Sequence, residues 1–471
     1  MKYLKKCFFY YIIISEDIKM KIKLKTDSRK VEPGDTFIAI PNVERDGHDY
    51  IPDAIKNGAT KIIAERGNYS VKTEIVPSTR DYLNNYLYKN YYPKFKNMKL
   101  IGVTGTNGKT TTCYLVFQML KLLNKNCAYI GTIGFFHGKE KKVLVNTTPD
   151  IDLLYSMFLE AKENKCKYMI MEVSSHALDL NRVYGLEFDE VAFTNLTQDH
   201  LDYHKTIENY LKAKKILFTK TRGKKIAVIN ADDPHYKDFL LKENNNITLG
   251  LKDNQLKILD MHLTNLDTKF SFSYKNKIYN TKINLVGRYN VYNYLTALLL
   301  VHNLGIPIKK ILKLNDVLTP PPGRMDMVKH NTNSIFIDYA HTPDAVLNVI
   351  KNALEYKKGR IITILGCGGD RDRTKRPIMG NIATKESDYV IFTDDNPRTE
   401  DEQKIMDDIL KGVKKDNYEV ILNRKKAIIK GIKMLKENDI LLILGKGHED
   451  YQIIGHDKIH FSDKEIVLEN I

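Results

Sequence analysis

Long apolar runs are scarce in this sequence. The stretch Cys7 to Ile14 holds eight apolar residues, too few to cross a bilayer, and nothing later is longer and equally apolar. It follows Lys5-Lys6 in the order of a secretory leader, yet Glu16-Asp17 come almost at once and no small-residue cleavage site intervenes. It reads as a buried strand, with Met20 as an alternative start. Cysteines are also few: Cys7, Cys113, Cys127, Cys166 and Cys367 are odd in number, far apart and never spaced as CxxC. That pattern points away from a disulfide framework and a zinc site, and it fits a reducing cytosol. Internal repeats, low-complexity tracts and a GxGxxG fingerprint are missing as well, so solenoid and simple dinucleotide-binding readings fall away.

The chain has 471 residues, of which 42% are hydrophobic. That length suggests roughly three domains at ~100–200 residues each, with ample material for packed cores. The formal charge is +16. The lysine excess is scattered along the chain rather than gathered in a block, which makes it weak support for nucleic-acid binding.

The most informative stretch is Lys99 to Thr112, KLIGVTGTNGKTTT. Leu100, Ile101 and Val103 form an apolar run of strand length. Gly105, Asn107 and Gly108 interrupt it, and Cys113, Val116, Phe117 and Leu120 then recur at helical spacing. Strand, glycine turn and helix N-terminus together hold nucleotide phosphates. Backbone N–H groups of Gly105, Thr106, Asn107 and Gly108 face the anion, and the helix dipole favours negative charge. Lys109 is placed to reach the β- and γ-phosphates, and Thr110, beside Thr111, to ligate Mg2+. The strict P-loop pattern has a glycine where Val103 stands.

Further along, Asn146-Thr147-Thr148-Pro149 is a hydroxyl-rich turn. Tyr168 to Val173 is a nearly continuous apolar run that carries Glu172 at its end, followed by Ser174-Ser175-His176. A buried parallel strand delivering a carboxylate at its C-terminal tip is where doubly wound sheets place active sites. Such a group beside a phosphate loop suits Mg2+. A second run, Glu190 to Thr194, leads to Asp199-His200-Leu201-Asp202-Tyr203-His204, whose side chains read equally as metal ligands, general bases or a polar loop. Tyr210 to Phe218 reads as a basic amphipathic helix. Gly287 to Asn293 opens another helix with Asn290 and Asn293 on its first turns. Pro320-Pro321-Pro322-Gly323 is incompatible with a helix and marks a boundary. Beyond it, strands at 334–337, 360–365, 389–393 and 440–444 alternate with helical stretches and end in polar or glycine-rich loops, the pattern of a Rossmann-like domain.

TGTNGKTT resembles the ATP loop of the Mur ligases, and at least eight motifs from residue 26 to about 455 follow that family's order. The N-terminal DSRKVEPGDTFIAI segment is similar to the domain that grips the uridine diphosphate of the substrate, in the branch adding the third residue of the peptidoglycan stem. Ser28 is carried over from it; Asn42 stands where the family usually has glycine, beside Val43-Glu44-Arg45. The resemblance implies an α/β protein of three domains: a UDP-substrate domain (1–98), a central ATP-binding domain (99–323) and a C-terminal Rossmann-like, amino-acid-binding domain (324–471). It implies that Asn146, Thr147, Thr148, Ser174 and Arg182 meet the UDP-muramoyl dipeptide, while Leu180 stands where relatives carry a polar glutamine. His200 would hold a second Mg2+, and Lys214, in YxxAKxxLF, would be carbamylated into a further metal ligand. Lys109, Glu172, His200 and Lys214 would thus carry catalysis. Asn290 and Asn293 would lie against adenine, and Arg324 and Asp338 would reach ATP from the C-terminal side.

The reaction implied is ATP-driven amide formation through an acyl phosphate, in the cytoplasm, by a monomer that needs neither nucleic acid nor membrane insertion. Asp395-Asn396-Pro397-Arg398 matches the form that goes with meso-diaminopimelate in this family, with Arg371, Gly445 and Glu449 completing the amino-acid site. A guanidinium fork suits the distal carboxylate, which lysine lacks; lanthionine carries the same terminal groups. Folylpolyglutamate synthases share the later two domains but not the DSR…PGD segment. A non-catalytic nucleic-acid-associated derivative of the fold would have no use for Lys109, Glu172, His200 and Lys214.

Overall fold

The computed structural model describes residues 21–41, 46–138, 140–252 and 254–471. The expected N-terminal strand, Met20 and the Asn42–Arg45 segment lie outside them. The chain is α/β throughout and divides into two compact units that are discontinuous in sequence. One comprises residues up to Gly102 with 124–189 and 201–225; the other comprises 103–123, 190–200 and 226–471.

The first unit opens on a four-stranded, all-parallel sheet in the order Leu24–Lys25, Thr36–Ile38, Lys61–Ala64, Lys72–Ile75. Its core is Val31, Phe37, Ala39, Ile51, Ala54, Ala59, Ile62 and Ala64. A short helix runs Ile51–Lys56, with Pro52 in its first turn and Gly58 just beyond its end. Pro suits a first turn because its missing N–H would be unpaired there anyway. Thr26 Oγ1 donates to Asp152 Oδ2 at 2.5 Å, which ties this segment to the start of helix Ile151–Glu163. In the same unit, strand Tyr168–Glu172 pairs in parallel with Cys127–Gly131, while Lys99–Thr104 and Phe188–Phe193 each run from this unit into the other. These four strands are almost wholly buried and apolar, as strands covered on both faces must be.

In the second unit, residues 226–230 pair in parallel with Asn245–Gly250, which joins Leu256–Leu263. An antiparallel meander through Thr268–Tyr274 and Lys277–Ile283 completes this run. The meander's alternating burial marks one wet face. The C-terminal sheet has six strands in the order Asp326–His330, Asn333–Asp338, Ile440–Leu444, Ile361–Leu365, Tyr389–Phe392, Tyr418–Val420. All four strands expected there are present, each within a residue or so. Only the first pairing is antiparallel. The two apolar clusters on either side of this sheet draw on alternate residues of the same strands, Phe336 and Leu442 on one face, Ile337 and Leu441 on the other. Two edge strands, Asp326–His330 and Tyr418–Val420, escape sequence reading because they are short and carry few apolar residues. A hairpin, Tyr451–Ile454 with Asp457–His460, stands apart from the main sheets.

Candidate active site

The glycine loop lies entirely in the second unit. Gly108 caps helix Lys109–Leu122 with φ of +86°, a left-handed conformation that side chains resist. A Cβ there would also run into the Asn293 amide. Thr194 Oγ1 donates to Asn107 O at 2.6 Å, and Asn195 receives Asn107 N–H on Oδ1 at 2.9 Å while donating Nδ2 to Asn107 O at 3.1 Å. Thr106 N–H donates to Asn195 O at 2.8 Å. Thr194 and Asn195 are thus a bracket for the loop that sequence reading missed; the only available signal was their place at a strand end. Lys109 Nζ donates to Gly105 O and Thr106 O, both at 2.8 Å, which curls the ammonium over the loop. Thr110 and Thr111 are buried at the first turn.

Asn290 and Asn293, on helix Arg288–Asn303, are buried and face inward. Asn290 Nδ2 donates to Val286 O at 2.8 Å, Asn293 Nδ2 donates to Asn290 Oδ1 at 3.1 Å, and Thr112 Oγ1 donates to Asn293 Oδ1 at 3.5 Å. His200 has φ of +53° and is half-exposed, with Nε2 3.5 Å from Asp199 Oδ2. The loop it ends turns into a short helix, Leu201–His204.

Of the expected substrate residues, Thr147, Thr148, Ser174 and Arg182 lie together beside Glu172 in the first unit, and Ser28 and Asn146 stand apart from them. This carboxylate is fully buried. Its Oε1 accepts Tyr129 OH at 2.5 Å and Thr132 N–H at 2.8 Å, and its Oε2 accepts Thr132 Oγ1 at 3.2 Å. Thr132 Oγ1 also lies 3.1 Å from Thr147 Oγ1. Thr148 Oγ1 donates to Glu172 O at 2.8 Å and accepts Ser174 N–H at 3.0 Å. Ser174 Oγ in turn caps helix Ser175–Asp179 through Ala177 N–H. Arg182 donates Nη1 to Thr148 O at 3.0 Å and pairs its Nε with Asp150 Oδ1 at 2.8 Å. Asn146 is exposed just before this cluster, and Ser28 is buried in a 3-10 turn, Ser28–Lys30. Tyr129 and Thr132 were not expected from the sequence, where nothing separates them from ordinary strand residues. His204, left unassigned by sequence, is buried with Nε2 2.9 Å from Ser175 Oγ.

Lys214, on helix Ile207–Thr219, is only 1% exposed, with Nζ 4.1 Å from the Tyr210 ring centroid. A lysine is rarely so buried. Among the described residues no three or more His, Cys, Asp or Glu side chains gather as a ready-made metal cage. Mg2+ held by one or two protein oxygens and by substrate phosphates needs no such cage. Glu172 in the first unit and Thr110 in the second are each a hard oxygen donor of the kind that ion takes.

The remaining residues cluster at the C-terminal ends of the last sheet, again in the second unit. Asp338, ending strand Asn333–Asp338, accepts Met325 N–H on Oδ2 at 2.7 Å and Ala340 N–H on Oδ1 at 2.9 Å. Burial pushes its carboxyl up from the usual range, and the Arg324 charge and these two N–H groups pull the other way. Arg324 lies over the Tyr339 ring, 5.3 Å from its centroid. Arg398 has φ of +53° and is held there on both sides. Its N–H donates to Ile453 O at 3.0 Å, and its O accepts Gly455 N–H at 2.7 Å, both from the 451–460 hairpin. Its Nη1 donates to Gly369 O at 2.7 Å. Arg371 is exposed, with Nη1 on Asp370 O at 2.9 Å. Pro397 is buried. Asp395 packs against Gly445, whose φ is +114° and where a Cβ would meet the Asp395 carboxylate. Asn396 and Glu449 are joined directly, Nδ2 to Oε2 at 2.9 Å.

Two fully buried arginines support these loops. Arg424 donates Nε and Nη2 to Asp463 Oδ1 and Oδ2 at 2.8 and 2.7 Å, and also reaches Asp394 O at 3.2 Å and Leu444 O at 3.0 Å. Arg376 grips Glu400 through Nη1 and Nη2 at 2.9 and 2.8 Å and Asp408 at 3.1 Å, while reaching Gly368 O at 3.2 Å. The arrangement can hold a zwitterion: a guanidinium on one side, a carboxylate on the other, and little freedom in either.

Three family models match in succession: "Mur ligase family, catalytic domain" over residues 23–98, "Mur ligase middle domain" over 103–301 and "Mur ligase, glutamate ligase domain" over 323–447. The UDP-N-acetylmuramoyl-L-alanyl-D-glutamate–2,6-diaminopimelate ligase 1 of Clostridium acetobutylicum is 44% identical over 98% of this chain and 97% of its own length. The ligase of the same description from Clostridium botulinum is 42% identical with the same coverage. A solved structure of a UDP-N-acetylmuramoyl-L-alanyl-D-glutamate–2,6-diaminopimelate ligase superposes with a TM-score of 0.69 at 30% identity, over 95% of this chain and 94% of the other. The glycine loop, the Glu172 cluster and the three domain models in order leave one conclusion: the chain belongs to the Mur ligase family.

Proposed function

We propose that this chain is the ATP-dependent ligase that adds meso-2,6-diaminopimelate to UDP-N-acetylmuramoyl-L-alanyl-D-glutamate, in cytoplasmic synthesis of the peptidoglycan precursor. The observation that carries the reading is the Arg398–Asn396–Glu449 arrangement: the Arg398 guanidinium rests on the carbonyls of Gly369 and Asn396, and the Asn396 side chain holds the Glu449 carboxylate, so neighbouring loops offer one charge of each sign to a distal amino acid centre. The near-full-length similarity to ligases of that description supports it. The three-domain division at 98/99 and 323/324 is part of this reading, supported by the succession of family models. No helix among the described residues is long and apolar enough to cross a membrane.

In this reading ATP phosphorylates the free carboxylate of the muramoyl dipeptide. The amino group of diaminopimelate attacks the acyl phosphate carbon, the new C–N bond forms, and inorganic phosphate leaves alongside the ADP already produced. The backbone N–H groups from Gly108 to Thr111 and the ammonium of Lys109 hold the phosphates and meet the charge that develops on the transferring group, while Thr106 and Asn107 keep their N–H groups on Asn195 and so shape the loop rather than face the anion as the sequence suggests. Lys109 must therefore leave the carbonyls of Gly105 and Thr106 when nucleotide enters. Asn290 and Asn293 keep the loop's glycine turn in shape and lie toward the adenine side, and Arg324 and Asp338 approach the nucleotide from the last domain. Ser28, Asn146, Thr147, Thr148, Ser174 and Arg182 orient the UDP-muramoyl dipeptide. Thr110, Glu172, His200 and Lys214 as its carbamate would hold Mg2+, which supplies charge neutralisation to the phosphoryl group. Arg371, Asp395, Asn396, Pro397, Arg398, Gly445 and Glu449 form the amino-acid site. The protein acts as a monomer.

The test is ADP release with UDP-muramoyl dipeptide against a panel of amino acids. Turnover with meso-diaminopimelate, and weak or absent turnover with lysine, is expected. Equal use of lysine overturns the assignment. For Lys214, high-resolution density showing a neutral amine in active, bicarbonate-treated protein would end the carbamate reading.

A further inference from the structure

Lys446 lies inside the GKGHE loop and was assigned no role by sequence. It is 0% exposed, a position lysine almost never takes without a partner. Its Nζ lies 3.2 Å from Glu449 Oε2 and 3.1 Å from Asn396 Oδ1. Because Asn396 Nδ2 donates to the same Glu449 oxygen at 2.9 Å, the three side chains close a triangle. Asn396 Oδ1 is doubly used, since it also accepts Ile453 N–H at 2.9 Å. Glu449 Oε2 thus takes two donors and faces inward. Among the described residues its Oε1 takes the longer Tyr451 hydroxyl contact at 3.4 Å, which leaves it the more available oxygen for a ligand.

We propose that Lys446 is a positioning residue for the amino-acid substrate: it fixes Glu449 and Asn396 in the orientation that receives the substrate's distal ammonium, without touching the substrate itself. The inference rests on the assignment of Glu449 to the amino-acid site. Two effects of Lys446 oppose each other. Its charge repels an incoming ammonium, and its hydrogen bonds hold the carboxylate that attracts one. Lys446 bonds the inward Oε2 while an incoming ammonium would meet Oε1, so the nearer carboxylate outweighs the repulsion and the ordering dominates. Without the Lys446 ammonium, Asn396 Oδ1 keeps Ile453 N–H and Glu449 Oε2 keeps Asn396 Nδ2, but each loses a buried, charged partner, and the pair is held less firmly in register. A purely structural buried lysine would instead affect all three substrates alike.

The experiment measures steady-state kinetics of full-length Lys446→Met with ATP, UDP-muramoyl dipeptide and meso-diaminopimelate varied in turn, beside wild type and Glu449→Gln. The expected result is a KM for diaminopimelate raised tenfold or more, with kcat and the other two KM values within about threefold. An unchanged or lowered KM for diaminopimelate, or equal increases for all three substrates, overturns the inference. Where Glu449→Gln raises that KM and Lys446→Met does not, the inference fails while the amino-acid site stands. If Glu449→Gln leaves it unchanged, the site assignment falls and takes the inference with it. Should Lys446→Met fail to fold, Lys446→Gln keeps a donor toward Asn396 and removes the charge. It is read by the same criteria, with ADP-induced thermal stabilisation as the check on folding.

Discussion

The nucleotide loop and the amino-acid loops achieve rigidity by different means. The glycine loop is held by neutral groups, the Thr194 hydroxyl and the Asn195 and Asn293 amides, with Lys109 as the charge inside it. The amino-acid loops are pinned from beneath by buried ions: Arg424 on Asp463, Arg376 on Glu400 and Asp408, and Lys446 on Glu449. A phosphate loop works by presenting unoccupied N–H groups to an anion, and a fixed buried charge beside it would compete for that role. A site for a zwitterion needs charges of both signs held at set places, and buried partners prevent them from collapsing onto each other. The difference teaches that stability and selectivity are entangled in the C-terminal loops and more nearly separable at the glycine loop.

The strongest way to break this contrast is Arg424→Met. It strips the fully buried Asp463 of its partner and leaves Asp394 O and Leu444 O without their donors, at an expected loss of ~3–5 kcal/mol in urea unfolding. The double variant Arg424→Met/Asp463→Leu removes both charges and is expected to recover most of that stability, while its KM for diaminopimelate stays elevated. A loss below ~1 kcal/mol for the single variant would show that the ionic bracing is incidental. Lys109→Ala probes the other side. It is expected to lower kcat by ~10²–10³-fold, the usual scale for removing a group aimed at developing charge, with an unfolding midpoint close to wild type. A large fall in midpoint would show that Lys109 also braces the loop, and the contrast would weaken.

The glycine loop, the Glu172 strand tip, the YxxAKxxLF helix and the four main C-terminal strands were legible because each announces itself locally. Glycines mark turns, apolar runs mark buried strands, and the helix repeat follows at once. The braces were not legible. Arg424 and Asp463 are 39 residues apart in sequence, and an arginine or lysine on an amphipathic helix or a polar loop reads by default as solvated surface. Tyr129 and Thr132 meet Glu172 only because parallel pairing sets Ala128 to Ile130 beside Met169 to Met171, a register that depends on the whole sheet. The Asp326–His330 and Tyr418–Val420 strands carry too few apolar residues for a period to show. Sequence reveals the local motifs proposed to meet ligand and stays silent on the long-range pairs that hold them still.

A third measurement sharpens the comparison within the amino-acid loops. Arg398 is kept at φ +53° by two hydrogen bonds from the 451–460 hairpin, so its guanidinium is oriented before substrate arrives. A lysine substrate has no distal carboxylate and would leave that guanidinium underpaired, at a cost of ~1–3 kcal/mol. Arg398→Ala is expected to erase most of the preference for meso-diaminopimelate over lysine, a change of at least about tenfold in the ratio of kcat/KM values. Retained preference would place selectivity elsewhere, in Arg371 or the Glu449 side.

The smallest effect expected is one of pH, and it tests whether charge bracing has a cost. Asp394 lies two residues beyond strand Tyr389–Phe392, at the start of the Asp395–Arg398 loop, and its carboxyl is pushed up to about 7. Burial is the main cause, followed by the charge and hydrogen bond of Glu402; Asp395 adds to the rise, and Arg424 opposes it. An unfolded aspartate titrates near ~3.9. Between about 4 and 7 the folded protein therefore holds a proton that the unfolded chain has released. Stability falls with rising pH wherever the native state binds more protons, so the penalty is absent near pH 4, grows across this window and is complete above pH 7. Asp394→Asn removes the titration while keeping a side chain able to hydrogen-bond Glu402. Its urea midpoint is expected to exceed that of wild type at pH 8, with the advantage shrinking steadily toward pH 5. Lys109→Ala, at the neutrally held loop, is expected to show the same difference from wild type at both values. An Asp394→Asn advantage independent of pH would mean that the carboxyl is not the source of the cost, and the ionic character of the amino-acid loops would then carry no stability penalty at this position.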